Sequence, residues 1–275
     1  MVSPHLPAIC FSLVLYKHTI DKLDPLLSSV RLLSERAPRL RVFICVYEGS
    51  PLGYPSPSLE TLSAKLSSVY IDYCRGVNVG YGAANNSNFI RASLAPSDLF
   101  CVVNPDIRFS PDQLLPLLDW AFRRDDYACV APLVLLESGT IQYSAKHDPT
   151  VLSLLLGRFS SLKRVRPLRK YDSWHRNLDR DYASEAISST YLSGCFLLIP
   201  TWAYHRVGGF CEKYFLHVED ADIVRRLSMV GGCLHNPIGV VVHGWARGSH
   251  SSFSQILSLL KSFCLYSWIW GFRLF

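Results

Sequence analysis

The first 135 residues alternate between short apolar runs and segments whose leucines or alanines recur at helical spacing. The apolar runs, which predict strands, cover residues 9–16, 41–47, 68–73, 99–104 and 128–133, and the helical patterns cover 21–35, 83–94 and 111–122. This alternation predicts a mainly parallel sheet with helices on both faces. Because ligands of such sheets bind at the carboxyl edge of the strands, residues at strand ends are the first candidates for a site.

The second half of the chain is less regular. Residues 151–185 carry eight Lys/Arg and four Asp/Glu with little periodicity, which predicts a long basic loop or short helices. A solvated insertion and a loop that serves the site both remain open, because long loops in compact domains are often functional. Strands are predicted again at 191–199 and 239–243.

Composition narrows the class of protein. The 275 residues are 49% hydrophobic and 18% charged, which is typical of a globular domain and excludes disorder. A formal net charge of +6 is compatible with anionic substrates or an anionic membrane surface, and it is too small to indicate nucleic acid. Nine cysteines without Cys-x-x-Cys spacing predict reduced thiols in a cytoplasmic protein.

Each end of the chain allows two interpretations. Residues 9–16 follow a segment with neither a basic region nor a small-residue cleavage site, so a buried strand is predicted ahead of a secretory signal. The apolar segment 251–275 is interrupted by Lys261 and Arg273, so within it no uncharged stretch reaches the roughly 20 residues of a spanning helix. Its Trp268 and Trp270 fit either a helix in a membrane interface or a helix packed on the domain.

Asp106 is the first candidate site residue. An apolar strand runs into Asn104, Pro105 and Asp106, and proline cannot continue a central strand. The carboxylate therefore stands at a sheet edge, where it could bind Mg²⁺ or Mn²⁺ together with phosphates, or simply close a turn.

A second candidate is His243, which ends the last predicted strand. Metal binding, phosphate binding and a structural role all stay open for it. The loop that follows could bind phosphate oxygens or be plainly solvated; its polar residues are Arg247, Ser249 and His250.

A glycine-rich loop precedes the helix predicted at 83–94. Gly80 and Gly82 permit close approach of the backbone, and a helix N-terminus offers N–H groups to a phosphate. The full dinucleotide and P-loop patterns are absent, so a turn capped by asparagines is the alternative.

Three carboxylates mark the start of a later helix, in the sequence EDAD at 219–222. If the helix begins at Glu219, Asp220 shares a face with apolar residues and is predicted to point inward, which is costly without a task or a partner. Asp222 is predicted to form a surface ion pair with Arg225 or Arg226, and Glu219 to lie near Arg226. For these two acids the helix dipole alone is a sufficient explanation.

These features occur together in the order found in the inverting family 2 glycosyltransferases of the GT-A fold, which the chain resembles. It is most similar to the bacterial rhamnosyltransferase-like branch that builds O-antigen and other surface polysaccharides. The matching stretches are SLVLYKH, NVGYGAANNSNFI, VVNPDIRF, YLSGCFLLIPTWAYHRVGGFCEKYFLHVEDADIVRRL and VVHGWARGS, within residues 9–250.

The resemblance implies an α/β fold of GT-A type with a Rossmann-like, mainly parallel sheet. Residues 1–250 would form the glycosyltransferase domain, with a nucleotide-sugar-binding half up to about residue 125 and an acceptor and catalytic half after it, followed by an amphipathic helical tail at 251–275. Asp220 would be the catalytic base supported by Glu219, and Asp106 and His243 would bind Mg²⁺ or Mn²⁺ and the diphosphate. The positions implied to contact the nucleotide sugar are Tyr16, Glu48, Asn78, Gly80, Asn85, Asn104 and Arg247.

Two positions depart from the family pattern. After the second strand the family usually has Asp-Asn-x-Ser, but this chain reads VYEGS, so Tyr47 replaces the aspartate and Glu48 follows it. A shifted role for Glu48, an altered nucleotide preference and weak donor binding all stay open. Cys211 stands where an aspartate is usual, at a position expected to shape a loop.

The resulting hypothesis is sugar transfer with inversion from a nucleoside diphosphate sugar, with dTDP-rhamnose favoured, to a glycan or lipid-linked hydroxyl in O-antigen assembly. The protein is expected in the cytoplasm or at the inner face of the membrane, without a nucleic-acid partner. One alternative, favoured by Tyr47, is a catalytically degenerate nucleotide-sugar-binding protein. Another is a two-carboxylate glycoside hydrolase, for which the adjacent Glu219 and Asp220 make a poor pair.

Overall fold

The computed structural model describes residues 6–66, 69–244 and 253–275. Its strands are β1 (Ala8–Leu15), β2 (Arg41–Glu48), β3 (Tyr70–Arg75), β4 (Leu99–Val103), β5 (Ile107–Arg108), β6 (Tyr127–Leu136), β7 (Ala145–Lys146), β8 (Ile187–Ser188), β9 (Tyr191–Leu192), β10 (Phe196–Pro200) and β11 (Gly232–His243). Its helices are α1 (Ile20–Arg36), α2 (Leu59–Lys65), α3 (Tyr81–Ala92), α4 (Pro111–Phe122), α5 (Val151–Arg158), α6 (Arg166–His175), α7 (Thr201–Val207), α8 (Glu219–Leu227) and α9 (Phe253–Trp270).

The central sheet is mostly parallel, as predicted. Within the described residues its strand order is β3-β2-β1-β4-β10-β6-β11-β5, with β8 paired to β11. The strands β1 to β4 are parallel to one another, and β6 is parallel to β11. Strand β10 is antiparallel to both β4 and β6, so it joins two parallel halves. The carboxyl ends of β1, β2, β4 and β11 therefore meet at one edge.

Most predicted elements are present, and the differences have local causes. Helix α4 begins as predicted, since the Ser110 side chain accepts the Gln113 N–H at 3.3 Å and Pro111 is the first helical residue. Strand β11 begins seven residues before the predicted strand, because a register shift after Asn236 accommodates Pro237, at which the sequence pattern breaks. The basic segment after residue 150 folds into α5, one 3₁₀ turn (Ser160–Arg164) and α6.

A buried polar cluster joins β1 to α3. The Ser12 hydroxyl donates to Asn85 Oδ1 at 2.6 Å, and Asn88 Nδ2 donates to Ser12 Oγ at 2.9 Å. Asn85 Nδ2 also donates to the Tyr81 carbonyl at 3.0 Å, and its side chain is fully buried. The predicted contact between Asn85 and a nucleotide is therefore corrected, because this amide is held inside the core.

The C-terminal helix α9 packs on the domain through one side. Tyr266 is buried against Tyr214 and Ala221, and Trp270 Nε1 donates to Asp222 Oδ1 at 2.9 Å. Other side chains of the helix face solvent, including Trp268. No helix in the described part of the chain combines the length and apolar character needed to cross a bilayer.

Replacing Asn85 by alanine should lower the free energy of unfolding by about 1–3 kcal/mol, because the Ser12 hydroxyl loses a buried partner. Urea unfolding measures this loss. Asn78→Ala is the matched control, since Asn78 is exposed and bonds only locally to the Gly80 N–H at 3.2 Å. An Asn85 variant of native stability with weakened nucleotide binding would contradict the structural role.

Candidate active site at the carboxyl edge of the sheet

Asp106 and His243 lie side by side at the carboxyl edge. Asp106 follows β4, His243 ends β11, and Asp106 Oδ1 is 3.2 Å from His243 Nε2. Since the Gln142 Oε1 atom can only accept, His243 Nδ1–H donates to it at 2.7 Å, which leaves Nε2 directed towards Asp106. Burial alone would raise the pKa of Asp106, but its hydrogen bond to His243 and the charge of that residue outweigh this effect and lower the pKa.

This pair fits part of a divalent metal site. A carboxylate oxygen and an imidazole nitrogen 3.2 Å apart can bind one cation together. Among the described residues, no group of three or more His, Cys, Asp or Glu side chains is arranged to hold a metal ion. Two protein ligands suit Mg²⁺ or Mn²⁺ whose other ligands are phosphate oxygens and water.

A chain of polar contacts connects this pair to Asp220. Asn104 Nδ2 is 3.5 Å from His243 Nε2, and Asn104 Oδ1 is 3.3 Å from the Tyr81 hydroxyl. That hydroxyl is 3.2 Å from the Gly194 carbonyl, and the Gly194 N–H donates to Asp220 Oδ2 at 3.0 Å. Burial and then the charge of the nearby Glu219 side chain raise the pKa of Tyr81, so Tyr81 stays a hydrogen-bond donor.

Backbone strain precedes the helix that carries Asp220. His217 and Val218 both have positive φ angles, 72° and 66°, although neither is glycine. Such residues cost on the order of 1–3 kcal/mol each and occur mainly where function requires a special geometry. Helix α8 then begins at Glu219, as predicted, and the Ala221 N–H donates to Asp220 Oδ1 at 2.9 Å. The two N–H donors fix the orientation of the Asp220 carboxylate.

The three acids of α8 differ from the predicted arrangement. Asp220 is partly exposed, whereas Glu219 and Asp222 are 6% and 1% exposed. Asp222 does pair with Arg226, at 2.8 Å, but Asp222 is buried, Arg226 is half-buried, and Trp270 of α9 donates to the other oxygen of Asp222. The predicted surface pair is thus wrong in its exposure. Glu219 was predicted to lie near Arg226, but the Arg226 guanidinium instead donates to Asp222.

Glu219 is a buried acid beside the site. Burial and then the negative charge of Asp220 raise its pKa to about 8. Its Oε2 atom has no hydrogen-bond partner among the described residues. A protonated Glu219 avoids a second negative charge next to Asp220.

The end of β2 supplies a second buried carboxylate. Glu48 is fully buried and its Oε1 accepts the Ser50 N–H at 2.6 Å, while its Oε2 has no partner among the described residues. Tyr47 instead donates its hydroxyl hydrogen to the Val77 carbonyl at 2.9 Å. Glu48 therefore holds the strand-end position, and Tyr47 supports the next loop.

The loop before α3 contacts the segment before α8. Gly80 has a φ of 92°, and a Cβ at this position would lie 2.5 Å from the Phe215 carbonyl oxygen. The Tyr81 N–H donates to the same oxygen at 3.1 Å. Only glycine fits here, and the loop is thereby tied to the backbone that leads to Asp220.

Tyr16 and Arg247 are two further residues predicted to contact the nucleotide sugar. Tyr16 is 43% exposed just after β1, and its N–H donates to His18 Nδ1 at 3.1 Å. His18 was not predicted from the sequence. Burial lowers the pKa of His18, and the charge of the nearby Asp106 opposes that shift. Arg247 lies outside the described residues, so its predicted phosphate contact has no structural counterpart here.

The opposite side of the site carries a lysine that the sequence did not reveal. Lys146, on β7, has its Nζ 4.8 Å from the centroid of the Tyr191 ring. Burial lowers the pKa of Lys146, and the charge of Asp220 opposes that shift. Next to it, His147 stacks on the half-exposed Trp174 with ring centroids 4.2 Å apart. The short strands β7 and β9 have no periodicity that could have predicted this group.

Because the pKa of Glu219 is raised, the free energy of unfolding should depend on pH through this residue. The stability that the neutral carboxyl contributes is fully present below its ordinary pKa of 4.5 and is lost as pH rises through about 8. Glu219→Gln is neutral at every pH, so its advantage in free energy of unfolding over the native chain should grow between these values. Urea unfolding across this window measures it.

Asp220→Asn is the companion variant, because it removes a charge that raises the pKa of Glu219. The pH dependence of stability should then shift to lower pH. A Glu219→Gln effect that is the same at both ends of the window would show that the carboxyl ionises normally.

The chain is similar in sequence to bacterial rhamnosyltransferases. No protein-family model matches the chain. It is 28% identical over 183 residues to the N-acetylglucosaminyl-diphospho-decaprenol L-rhamnosyltransferase of Mycobacterium tuberculosis, covering 63% of this chain and 58% of the relative. It is 24% identical over 191 residues to rhamnosyltransferase WbbL of Escherichia coli K12, covering 67% and 68%. The chain therefore matches little more than half the length of the mycobacterial relative.

A solved structure extends the likeness to the whole fold. The crystal structure of GalNAc-T7 with UDP, GalNAc and Mn²⁺ superposes with a TM-score of 0.66 and 16% identity, over 98% of this chain and 49% of that one. This chain is thus similar in sequence to two bacterial rhamnosyltransferases, and it has the mixed α/β fold of the GT-A glycosyltransferases.

Proposed function

We propose that this protein is an inverting glycosyltransferase that moves a deoxyhexose from a nucleoside diphosphate sugar to an acceptor hydroxyl. The observation that carries the proposal is the polar chain from Asp106 to Asp220. It brings residues from separate parts of the sequence to one sheet edge, each within 3.5 Å of the next. Such an edge is where sheets of this type bind ligands.

In the proposed reaction Asp220 is the general base. Its carboxylate accepts the proton of the acceptor hydroxyl, whose oxygen bonds to the anomeric carbon from the side opposite the diphosphate. The bond from that carbon to the diphosphate oxygen breaks, and the electron pair stays with the diphosphate. The N–H groups of Gly194 and Ala221 hold Asp220 in orientation, and a neutral Glu219 keeps a competing charge away from it.

The diphosphate leaves as an anion, so its charge needs compensation. Asp106 and His243 would hold a divalent cation, which supplies that compensation when bound. Asn104 and Tyr81 keep His243 at the same edge through their contacts. The GalNAc-T7 structure contains Mn²⁺ together with UDP, which supports the assignment of the metal.

For the donor we propose dTDP-rhamnose. The names of both relatives support rhamnose. Glu48 stands at the strand end, but its carboxylate is fully buried, so the choice of dTDP rests on the family resemblance and not on a contact of Glu48. Asn78 and Gly80 lie on the same side of the site, in the loop that packs on Gly49.

For the acceptor we propose a lipid-linked glycan diphosphate used in O-antigen or related polysaccharide assembly at the cytoplasmic side of the membrane. Lys146 supports it, since a partly buried ammonium near the base suits an anionic acceptor group. The stacked His147 and Trp174 offer an aromatic surface beside it for a sugar ring. The name of the mycobacterial relative points to the same acceptor class.

Two alternatives are less well supported. A hydrolase needs two carboxylates that face a sugar from opposite sides, but of the adjacent pair considered for this role Glu219 is buried and Asp220 is partly exposed. A degenerate binding protein was suggested by Tyr47, yet Glu48 occupies the strand-end position, and its Oε2 has no partner among the described residues. Sugar transfer is therefore the better supported function.

Asp220→Asn should reduce turnover by on the order of 10²–10⁴-fold without loss of donor binding, because only the proton acceptor is removed. Steady-state transfer from dTDP-rhamnose to a lipid-linked acceptor measures turnover, and a thermal shift with dTDP measures binding. Asp119→Asn, an exposed carboxylate on α4, is the matched control and should behave as the native chain. Normal turnover in a folded Asp220→Asn protein would exclude Asp220 as the base.

Asp106→Ala should abolish the metal-dependent part of nucleotide binding. A thermal-shift panel of dTDP, UDP and GDP, each with and without Mn²⁺, is expected to show the largest shift of the native chain with dTDP and Mn²⁺. The variant should lose the Mn²⁺ increment, whereas Asp112→Ala, at the exposed start of α4, should keep it. If no nucleoside diphosphate stabilises the native chain, the transfer proposal fails.

A further inference from the structure

The positive charge of the chain is concentrated in two segments. Residues 151–176, which form α5, the 3₁₀ turn and α6, contain seven Lys/Arg and one Asp, a formal charge of +6. Residues 253–275, which form α9 and the last five residues, contain two Lys/Arg and no acid, a charge of +2. The whole chain carries +6, so all remaining residues together sum to −2. The one acid, Asp172, is buried and bonded to Lys163 and Arg176.

The same two segments expose large apolar side chains. In the first segment Leu155 is 43% exposed, Phe159 53% and Val165 50%. In the second, Trp268 is 79% exposed and Phe275 is 76% exposed. Aromatic and aliphatic side chains among basic ones, without exposed acids, are typical of segments that lie in a membrane interface.

Backbone hydrogen bonds join the two segments. The Val151 N–H donates to the Arg273 carbonyl at 3.2 Å, and the Leu152 N–H donates to the Leu274 carbonyl at 3.0 Å. Asp148 adds an ion pair with Arg273 at 3.2 Å. The start of α5 and the end of the chain are thus neighbours, and the two segments together form what we call the basic–apolar surface.

We propose that the basic–apolar surface, residues 151–176 with 253–275, docks the protein on an anionic lipid bilayer. Charge complementarity selects this occupant. A second copy of the chain would place two strongly positive surfaces against each other, which is unfavourable. Anionic lipid headgroups attract the basic residues, while the exposed apolar side chains enter the acyl boundary.

Docking goes beyond the proposed transfer reaction, because it needs neither donor nor acceptor. The first of the two segments also carries Trp174, which stacks on His147 beside Lys146. The docked segment and the acceptor side of the site are therefore parts of one folded unit, which suits an acceptor presented at a lipid surface.

Vesicle flotation tests the proposal with the full chain. Vesicles of phosphatidylcholine alone are compared with vesicles in which about one third of the lipid is phosphatidylglycerol, at low and high salt. The native chain should bind the anionic vesicles about tenfold or more tightly than the neutral ones, and salt should weaken this binding. Equal binding to both lipids, or none to either, would overturn the proposal.

Paired variants identify the surface. Arg166→Glu with Arg169→Glu, and separately Phe159→Ser with Phe275→Ser, should each lower anionic-vesicle binding by about tenfold or more. The matched controls, Arg39→Glu with Arg123→Glu and Leu52→Ser with Met229→Ser, change exposed residues elsewhere and should bind normally. Native binding by both test pairs, or an equal loss in the controls, would refute the assignment.

Two measurements separate this proposal from its rivals. Tighter binding to an RNA homopolymer than to anionic vesicles, lost in the same variants, would assign the surface to nucleic acid instead. Transfer to a short, water-soluble acceptor should be unchanged in folded variants that no longer bind vesicles. Absent transfer with intact vesicle binding would sink the proposed function and leave the docking surface standing.

Discussion

The ion pair between the buried Asp222 and the half-buried Arg226 links three helices beside the candidate site. Arg226 donates to Asp222 and also to the carbonyls of Val207 and Gly209, at 2.8 and 2.6 Å, so it joins the end of α7 to α8. Trp270 binds the other oxygen of Asp222 and brings α9 into the same cluster. Removing one partner of such a pair leaves an uncompensated buried charge, which costs about 3–5 kcal/mol. Asp220 is adjacent to this cluster on α8, so the packing of the helix also positions Asp220.

The sheet and its functional edge could be predicted from the sequence because both depend on local signals. Apolar runs of strand length alternate with helical patterns, and this order alone implies a parallel sheet. The location of Asn104, Asp106 and His243 could be predicted because each stands at or just after the end of a strand. The start of α8 at Glu219 could be predicted because acidic residues cluster at helix N-termini. In the structure Asp106 and Asn104 both lie within hydrogen-bond distance of His243.

Burial of individual side chains could not be predicted, because it depends on parts of the chain that are distant in sequence. Asp222 accepts a hydrogen bond from Trp270, which is 48 positions away, and is buried instead of lying at the surface. Asn85 turns into the core because Ser12, 73 positions away, offers it a partner. Gln142 lies between two strands and Lys146 lies on the two-residue strand β7, and neither segment is long enough to show a periodic pattern in the sequence.

The contact between Gly80 and Phe215 has a consequence for the timing of the reaction. The same carbonyl oxygen accepts the Tyr81 N–H, so a hydrogen bond connects the loop proposed to contact the donor with the backbone that precedes Asp220. The strained residues His217 and Val218 lie between that bond and the helix. A nucleotide that settles against the loop would thus bias how this segment sits, and the acceptor would meet a completed site only afterwards. For the proposed transfer reaction we therefore expect the substrates to bind in a compulsory order, donor first.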